Sequence, residues 1–244
     1  MRTLASITAR GGSNTLPRKN ILPFCNKPLI AYTIEAVLEA KAPGAPINRL
    51  MVSTEDAEIA DICRRFGAEV PFMRPAELAR ADTPSLPVIE HAVAFAEQEE
   101  GMRYDLILLL QPTSPLRTKD DIIEALNLVQ RPDSTAVVSV TNANSSHPRK
   151  LRLIENGLLK PFQEDSFQPT RRQDFGFDVY RTNGAIYLVR RDVLMQEGSF
   201  YGSCPRPLLM PAERSIDIDT QLDFEMAEFL YRRSKQNHNE GLVP

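Results

Sequence analysis

The chain has few cysteines, and none forms a pair. Cys25, Cys63 and Cys204 stand far apart, odd in number and without a Cys-x-x-Cys spacing. That excludes an evident zinc motif or disulfide framework and suits a reducing compartment; all three read as core cysteines. No apolar run approaches the length of about eighteen residues that a membrane span needs, and no secretory signal is evident. A cytoplasmic protein with no membrane partner is therefore expected. An excess of positive charge is missing too: 29 lysines and arginines against 32 aspartates and glutamates leave a net charge of -3. A general nucleic-acid or membrane-surface binder is usually basic, so no nucleic-acid partner is expected, while nucleotide binding by a local cluster stays open. A nucleophilic Ser or Cys elbow is absent as well, which leaves acyl transfer without support.

What remains is an ordinary globular composition, 42% hydrophobic and 25% charged over 244 residues, enough for one large domain with a small appendage. The densest chemistry lies near the front. Leu4-Ala-Ser-Ile-Thr-Ala9 reads as a short buried strand, stopped by Gly11-Gly12. Arg10, Arg18 and Lys19 place three cations within eleven residues that also hold Gly11, Gly12, Ser13 and Asn20. Glycines allow close approach of the backbone to a ligand and aim successive amides at one spot, and a phosphate chain is the obvious anion. An ordinary surface loop with solvated cations is the competing reading. The spacing is neither a Walker loop nor the dinucleotide fingerprint, since the third glycine is missing and no helix follows directly.

Further along, Ile30, Ile34, Val37 and Leu38 have helical spacing behind Pro28, and Leu50-Met-Val-Ser-Thr54 is a second strand. Ile59, Ile62, Cys63 and Phe66 form another amphipathic helix, with Ser53 or Thr54 as its expected cap and Gly67 as its stop. Arg74-Pro-Ala-Glu77-Leu and Asp82-Thr83-Pro84-Ser85 supply turns and a capping pattern before a helix from Leu86 to Gln98; Arg74 pairing with Glu77 is the plain structural reading. Leu106-Ile-Leu-Leu-Leu110 is the most apolar strand and is placed centrally. It ends in Gln111-Pro-Thr113-Ser-Pro-Leu-Arg117. Ligands of open α/β sheets sit at the carboxyl ends of strands, so Gln111, Thr113 and Arg117 are placed for contact. A helix over residues 120–130 and the strand Ala136-Val-Val-Ser-Val140 follow. Short strands alternating with helices predict a mostly parallel α/β sheet.

Residues 142–181 break that rhythm. They hold His147, which is assigned no chemistry, a hairpin signal at Asn156-Gly157, and Arg171-Arg172, and they read as an arm inserted into a single domain spanning 1–235. The sheet resumes at Asn183-Gly184-Ala-Ile-Tyr187, and residues 236–244 read as a frayed tail. Ser215-Ile-Asp217-Ile-Asp219-Thr220 precedes a helix whose apolar positions include Leu222, Phe224, Met226, Phe229 and Leu230. Residues two apart in an extended segment point the same way, so Asp217 and Asp219 present two carboxylates to one face. Two close carboxylates repel unless a cation lies between them, and a magnesium ion shared with substrate phosphates meets that need. Capping of the helix by Asp219 or Thr220 is the structural alternative. Cations for phosphate at the front and carboxylates for magnesium at the back together point to nucleotidyl or phosphoryl transfer.

Six ordered runs carry a more specific resemblance: Ala9-Arg-Gly-Gly-Ser13 through Leu16-Pro-Arg18-Lys19-Asn20, Arg74-Pro-Ala-Glu77-Leu, Leu110-Gln-Pro-Thr-Ser-Pro-Leu-Arg117, Arg172-Gln-Asp174, Asn183-Gly-Ala-Ile-Tyr187 and Ser215-Ile-Asp-Ile-Asp219. Over roughly residues 3 to 230 the chain resembles the acylneuraminate cytidylyltransferases, the CMP-sialic acid and CMP-nonulosonic acid synthetases. The resemblance implies a Rossmann-like nucleotidyltransferase fold and a homodimer whose inserted dimerisation arm reaches the partner's site. It implies magnesium-dependent reaction of CTP with a nine-carbon 2-keto sugar acid. By the same resemblance, Ala9, Arg10, Gly11, Gly12, Ser13, Arg18, Lys19, Asn20, Arg74, Asp82 and Thr83 bind the nucleotide. Gln111, Thr113, Arg172, Asn183 and Tyr187 face the sugar, Asp217 and Asp219 carry the metal, and Arg10, Lys19, Asp217 and Asp219 serve catalysis.

Two departures stand out. Loops of that family commonly read Gly-Gly-Ser-Lys-Gly, whereas this chain has Asn14 and Thr15 at the last two places, which would shift work to Arg18. The aromatic pair that some sialic-acid enzymes carry after the Asn-Gly-Ala strand has no counterpart in this reading. The alternatives are activation of another sugar acid or an amino sugar, and a catalytically impaired nucleotide-binding homologue.

Overall fold

The computed structural model describes residues 1–12, 15–41, 45–162 and 176–239, with side chains through residue 236. In chain order its strands are β1 (Thr3–Thr8), β2 (Pro23–Phe24), β3 (Lys27–Pro28), β4 (Ile47–Ser53), β5 (Leu106–Leu110), β6 (Ala136–Asn142), β7 (Arg152–Glu155), β8 (Leu158–Pro161), β9 (Tyr180–Arg190) and β10 (Pro205–Leu209). The helices are α1 (Leu29–Ala40), α2 (Ala57–Arg65), α3 (Ser85–Glu100), α4 (Lys119–Leu128), α5 (Arg191–Glu197) and α6 (Gln221–Asn239).

Six strands form one sheet in the order β10-β6-β9-β5-β1-β4. All neighbours run parallel except β9, which is antiparallel to both β5 and β6. β5 lies inside the sheet with all five residues buried, as a strand covered on both faces must. The period of two sorts its side chains. Leu106, Leu108 and Leu110 join Ala5 and Ile7 of β1 beneath α1, α2 and α4, while Ile107 and Leu109 join Leu4 beneath α3 and α5. A third cluster seats α6 through Phe24, Leu29, Tyr32, Ile218, Phe224 and Ala227. Its rings meet edge-on, Phe24 lying 5.0 Å from Tyr32 and 5.5 Å from Phe224.

Several local expectations change. The cap of α2 is Asp56, whose carboxylate accepts from the Ile59 amide at 3.0 Å. Ser53 still belongs to β4 and Thr54 bridges to Met73, so neither is free to cap. The start of α3 follows Pro84 and has no side-chain cap. Thr220 does cap α6, reciprocally with Asp223, whereas the side chain of Asp219 turns elsewhere. That helix packs on a narrow stripe around Phe224 and Ala227, leaving Leu222, Met226 and Phe229 exposed. It continues through Asn239, so residues 236–239 of the expected tail are helical; residues 240–244 lie outside the described residues. Only Cys63 is a core cysteine. Cys25 and Cys204 are half-buried, and all three are free.

The arm is rooted in the sheet, since Asn142 of β6 pairs with Tyr180 of β9. His147 is fully buried there, its Nδ1 accepting from the Arg149 amide at 3.2 Å and its ring 4.8 Å from Phe177, which fits a structural role. Asn156 and Gly157 have φ of 53° and 77°, the left-handed pair that a two-residue hairpin turn requires. The β7–β8 hairpin they join has every residue exposed. Thr170–Asp174, with Arg171 and Arg172, lie outside the described residues. Among the described residues no helix is long and apolar enough to cross a membrane.

Candidate active site

A cavity of about 280 Å³ opens at the carboxyl ends of β1 and β5. Its lining includes Arg10, Gly12, Lys19, Asn20, Thr83, Gln111, Thr113, Asp217 and Asp219. The front loop and the carboxylate pair therefore share one space, although Lys19 and Asp219 stand 200 residues apart in the chain.

The front loop is built around its backbone. Ala9 is fully buried and its amide donates to the Ser53 carbonyl at 3.0 Å, extending the β1–β4 register. Gly11 is a steric requirement, because a Cβ there would lie 2.4 Å from a carboxylate oxygen of Asp56. Its amide donates to Glu55 at 2.7 Å. Asn20 is buried and its Nδ2 donates to the Arg10 carbonyl at 2.9 Å, fixing the residue that carries the cation. Arg10 itself has no ion pair among the described residues. Ser13 and Asn14 lie outside the described residues.

Arg18 corrects the reading of the loop. It adopts φ 59° and turns away to pair with Asp56 and Glu58. The hydrogen-bonded Asp56 carboxylate holds that guanidinium above its ordinary pKa despite some burial. Bound to two acids, it is not a spare cation for phosphate. Lys19 is better placed: its Nζ lies 2.7 Å from the Ile218 carbonyl and 3.0 Å from Asp219 Oδ1, at the rim of the cavity.

Arg74 pairs with neither Glu77 nor the cavity. It is 6% exposed, donating from Nε to Ser53 Oγ at 3.0 Å and from a terminal nitrogen to the Ser53 carbonyl. Burial lowers its pKa, Glu55 at 3.9 Å opposes that, and Arg10 adds to it. Asp82 is exposed and does not line the cavity, whereas Thr83 does. Ser85 and Val88, on the first turn of α3, line it too, as do Thr8 and Pro112, and none of these four is singled out by sequence as a contact. Ser85 carries a signal, a small polar residue between Pro84 and an apolar helix, but the same signal marks an ordinary helix start.

Gln111 and Thr113 reach the cavity from the end of β5. Arg117 does not bind there. It is buried at 4% exposure and donates to the Ala185 carbonyl at 2.8 Å and to Thr33 Oγ1 at 2.7 Å; burial brings its pKa down to about 9. Asn183 is likewise structural. Its Oδ1 accepts from Ser139 at 2.6 Å and its Nδ2 donates to Ser215 Oγ at 2.9 Å, so it ties the segment before Asp217 to the sheet instead of facing a sugar. The neighbouring Gly184 has φ 74°, and a Cβ on it would stand 2.4 Å from Gln111 Oε1 and 3.3 Å from Asp217 Oδ2. Only glycine lets Gln111 and Asp217 close over that strand.

Ile218 fixes the carboxylates. Its amide donates to the Thr113 carbonyl at 2.9 Å and its side chain is fully buried in the α6 cluster, which leaves Asp217 and Asp219 on the opposite, cavity-facing side. Burial pushes the Asp217 pKa up and nearby Asp219 pushes it further. Thr113, Lys19 and Arg181 act against them. Arg181, at the start of β9, is a cation near the site that the sequence reading leaves in the arm. Asp217 Oδ1 is buried with no hydrogen-bond partner in the structure. No cluster of three His, Cys, Asp or Glu side chains suited to a metal occurs among the described residues. Magnesium nevertheless takes as few as one or two protein carboxylates beside substrate phosphates, and a buried, unpartnered carboxylate oxygen beside a second carboxylate fits it.

Tyr187 on β9 is half-buried, and burial, then Tyr201, then Asp217 raise its pKa. Its ring lies 5.9 Å from Phe200 and 6.4 Å from Tyr201. Two consecutive aromatic residues, Phe200 and Tyr201, thus stand beside Tyr187. Helix α5 and Gly198 separate Phe200 and Tyr201 from Tyr187 in sequence, and folding brings them together.

With this geometry, comparison with known proteins decides the family. A family model described as cytidylyltransferase matches residues 4–238. The chain belongs to that cytidylyltransferase family. A CMP-N,N'-diacetyllegionaminic acid synthase of Legionella pneumophila is 35% identical, the alignment covering 97% of this chain and 99% of that protein. A pseudaminic acid cytidylyltransferase of Campylobacter jejuni is 31% identical, covering 99% and 100%. An N-acylneuraminate cytidylyltransferase of Escherichia coli O18:K1:H7 is 35% identical, covering 93% of this chain and 52% of that longer protein. The structure of a CMP:2-keto-3-deoxy-manno-octonic acid synthetase complexed with CTP superposes with TM-score 0.68 at 18% identity, covering 96% of this chain and 100% of that one. That likeness establishes the fold, the expected Rossmann-like nucleotidyltransferase sheet.

Proposed function

We propose that this cytidylyltransferase activates a nonulosonic acid with CTP, giving the CMP-sugar and pyrophosphate. The observation that carries the reading is the convergence of Arg10, Lys19 and Asp217 on one strand-end cavity, in a chain whose relatives are named for legionaminic, pseudaminic and acylneuraminic acids. In the reaction the sugar's 2-hydroxyl oxygen bonds to the α-phosphorus of CTP and the bond to the β-phosphate bridging oxygen breaks, so pyrophosphate leaves. The hydroxyl proton passes to Asp217, Asp219 or a water they orient. Arg10 and Lys19 hold the phosphates, and Gln111 and Thr113 face the acceptor from the end of β5. Asp217 and Asp219 would hold magnesium, which when bound neutralises charge on the phosphates and the leaving pyrophosphate. Preorganised charge of this kind is usually the largest single contribution to rate enhancement.

A homodimer belongs to the same proposal. Ile154, Leu158 and Leu159 of the β7–β8 hairpin are 77%, 66% and 72% exposed, and a lone two-stranded hairpin is marginally stable in water; a second copy of the chain supplies the cover. Sedimentation velocity returning a monomer at micromolar concentration would remove this element. Three free cysteines agree with a cytoplasmic location. The test of the reaction is magnesium-dependent pyrophosphate release from CTP with a panel of nonulosonic acids, and with the eight-carbon acid Kdo as a contrast. Turnover with a nonulosonic acid supports the reading, and CTP binding without turnover of any acid would leave only a nucleotide-binding module.

A further inference from the structure

The front loop and the carboxylate segment are joined directly, by three hydrogen bonds from two residues. Lys19 Nζ donates to the Ile218 carbonyl and to Asp219 Oδ1. The third bond comes from one of the two residues that depart from the family's loop pattern: Thr15 Oγ1 donates to the Asp219 carbonyl at 2.6 Å. These bonds differ in what a nucleotide would do to them. The reading above assigns Lys19 to phosphate and Asp219 to magnesium, so their ion pair must give way when both arrive. The Thr15 bond uses the Asp219 backbone oxygen and has no competitor in that exchange.

We propose that Thr15 is a positioning residue, a latch that holds the phosphate loop against the Asp217–Asp219 segment while Lys19 changes partner from Asp219 to phosphate. The proposal rests on the functional reading above. Its physical basis is the hydroxyl-to-carbonyl bond. A loop tethered at Thr15 keeps its approach to the carboxylates when the Lys19 bond opens, so less ordering is left for the moment of binding. The latch acts through the loop that carries Lys19, and Thr15 itself touches no reacting atom.

The test compares Thr15→Val, which keeps the branched shape and removes the donor, with Thr15→Ser, which keeps the donor. Two readouts are used: amide hydrogen exchange of residues 16–21 without nucleotide, and KM and kcat with CTP and a nonulosonic acid. A hydrogen bond of ordinary net worth corresponds to roughly 3- to 10-fold. Thr15→Val is expected to speed exchange at the Lys19 and Ile21 amides and raise KM for CTP by about that factor. kcat and KM for the sugar acid should stay within about twofold, and Thr15→Ser should restore wild-type behaviour. Unchanged exchange in Thr15→Val, or a defect that Thr15→Ser fails to rescue, overturns the latch. If the unsubstituted chain turns over no CTP, the functional reading has failed separately, and the exchange comparison still decides whether Thr15 holds the loop.

Discussion

Replacing Asp217 by asparagine should stabilise the metal-free protein while destroying its activity. Asp217 is a largely buried carboxylate beside a second carboxylate, with Oδ1 unpartnered, and its pKa is raised, first by burial and then by Asp219. The sign follows from linkage. A carboxyl whose folded pKa lies above its unfolded value binds a proton more readily in the native state, so stability falls as pH rises through that window. Above the window both states are ionised and the full penalty persists at neutral pH. Asp217→Asn removes the charge and retains the shape. A buried polar group without its partner costs about 1–3 kcal/mol. Taking the lower end, because asparagine keeps an unpaired oxygen, Asp217→Asn gains about 1 kcal/mol, or roughly 2–4 °C in Tm for a chain of this size. Thermal unfolding in EDTA at pH 7.5 measures it. The gain should shrink as pH falls toward the ordinary carboxyl value of 3.8. Turnover should drop by on the order of 10²-fold or more. A variant that is less stable at neutral pH, or that keeps full magnesium-dependent turnover, refutes the assignment of Asp217 as a strained site carboxylate.

Other substitutions separate site from scaffold. Gly184→Ala forces a side chain into φ 74° and against Gln111, which should cost about 1–2 kcal/mol from the left-handed backbone alone and more from displaced Gln111; urea unfolding reads the first part, and KM for the sugar acid reads the second. Arg18→Gln should leave kcat/KM for CTP within about twofold and lower stability by less than about 1 kcal/mol, since its ion pairs are partly solvated. A loss of about tenfold in kcat/KM, equivalent to one hydrogen bond to a charged group, would show that Arg18 leaves Asp56 to bind phosphate. Leu108→Ala, at the centre of the fully buried β5, should cost about 2–5 kcal/mol by urea denaturation, and a loss below about 1 kcal/mol would contradict the central placement of that strand.

The parts of the fold legible from sequence are those with a dominant local cause. An all-apolar run such as Leu106–Leu110 is stable only when buried on both faces, and Asn156-Gly157 supplies the two left-handed residues a tight turn needs. Asp217 and Asp219 are readable as a pair because strand alternation alone sets their common face. Partner choice is not readable. Arg10, Arg18 and Lys19 look alike in sequence, yet Asp56 and Glu58, 38 and 40 residues on, take Arg18 out of the cluster. Asn183 and Arg117 carry the polarity expected of ligand contacts, but each sits where buried backbone or hydroxyl groups need a donor. Phe200 and Tyr201 are hidden for the opposite reason: their contact with Tyr187 depends on the path of α5, which no local pattern encodes.

The most direct measurement of the central claim is pyrophosphate release from CTP by the purified chain with magnesium and a panel of nonulosonic acids. The expected result is release that requires both the acid and the metal and that is lost in Asp217→Asn. Absence of release with every acid, although CTP binds, would contradict it.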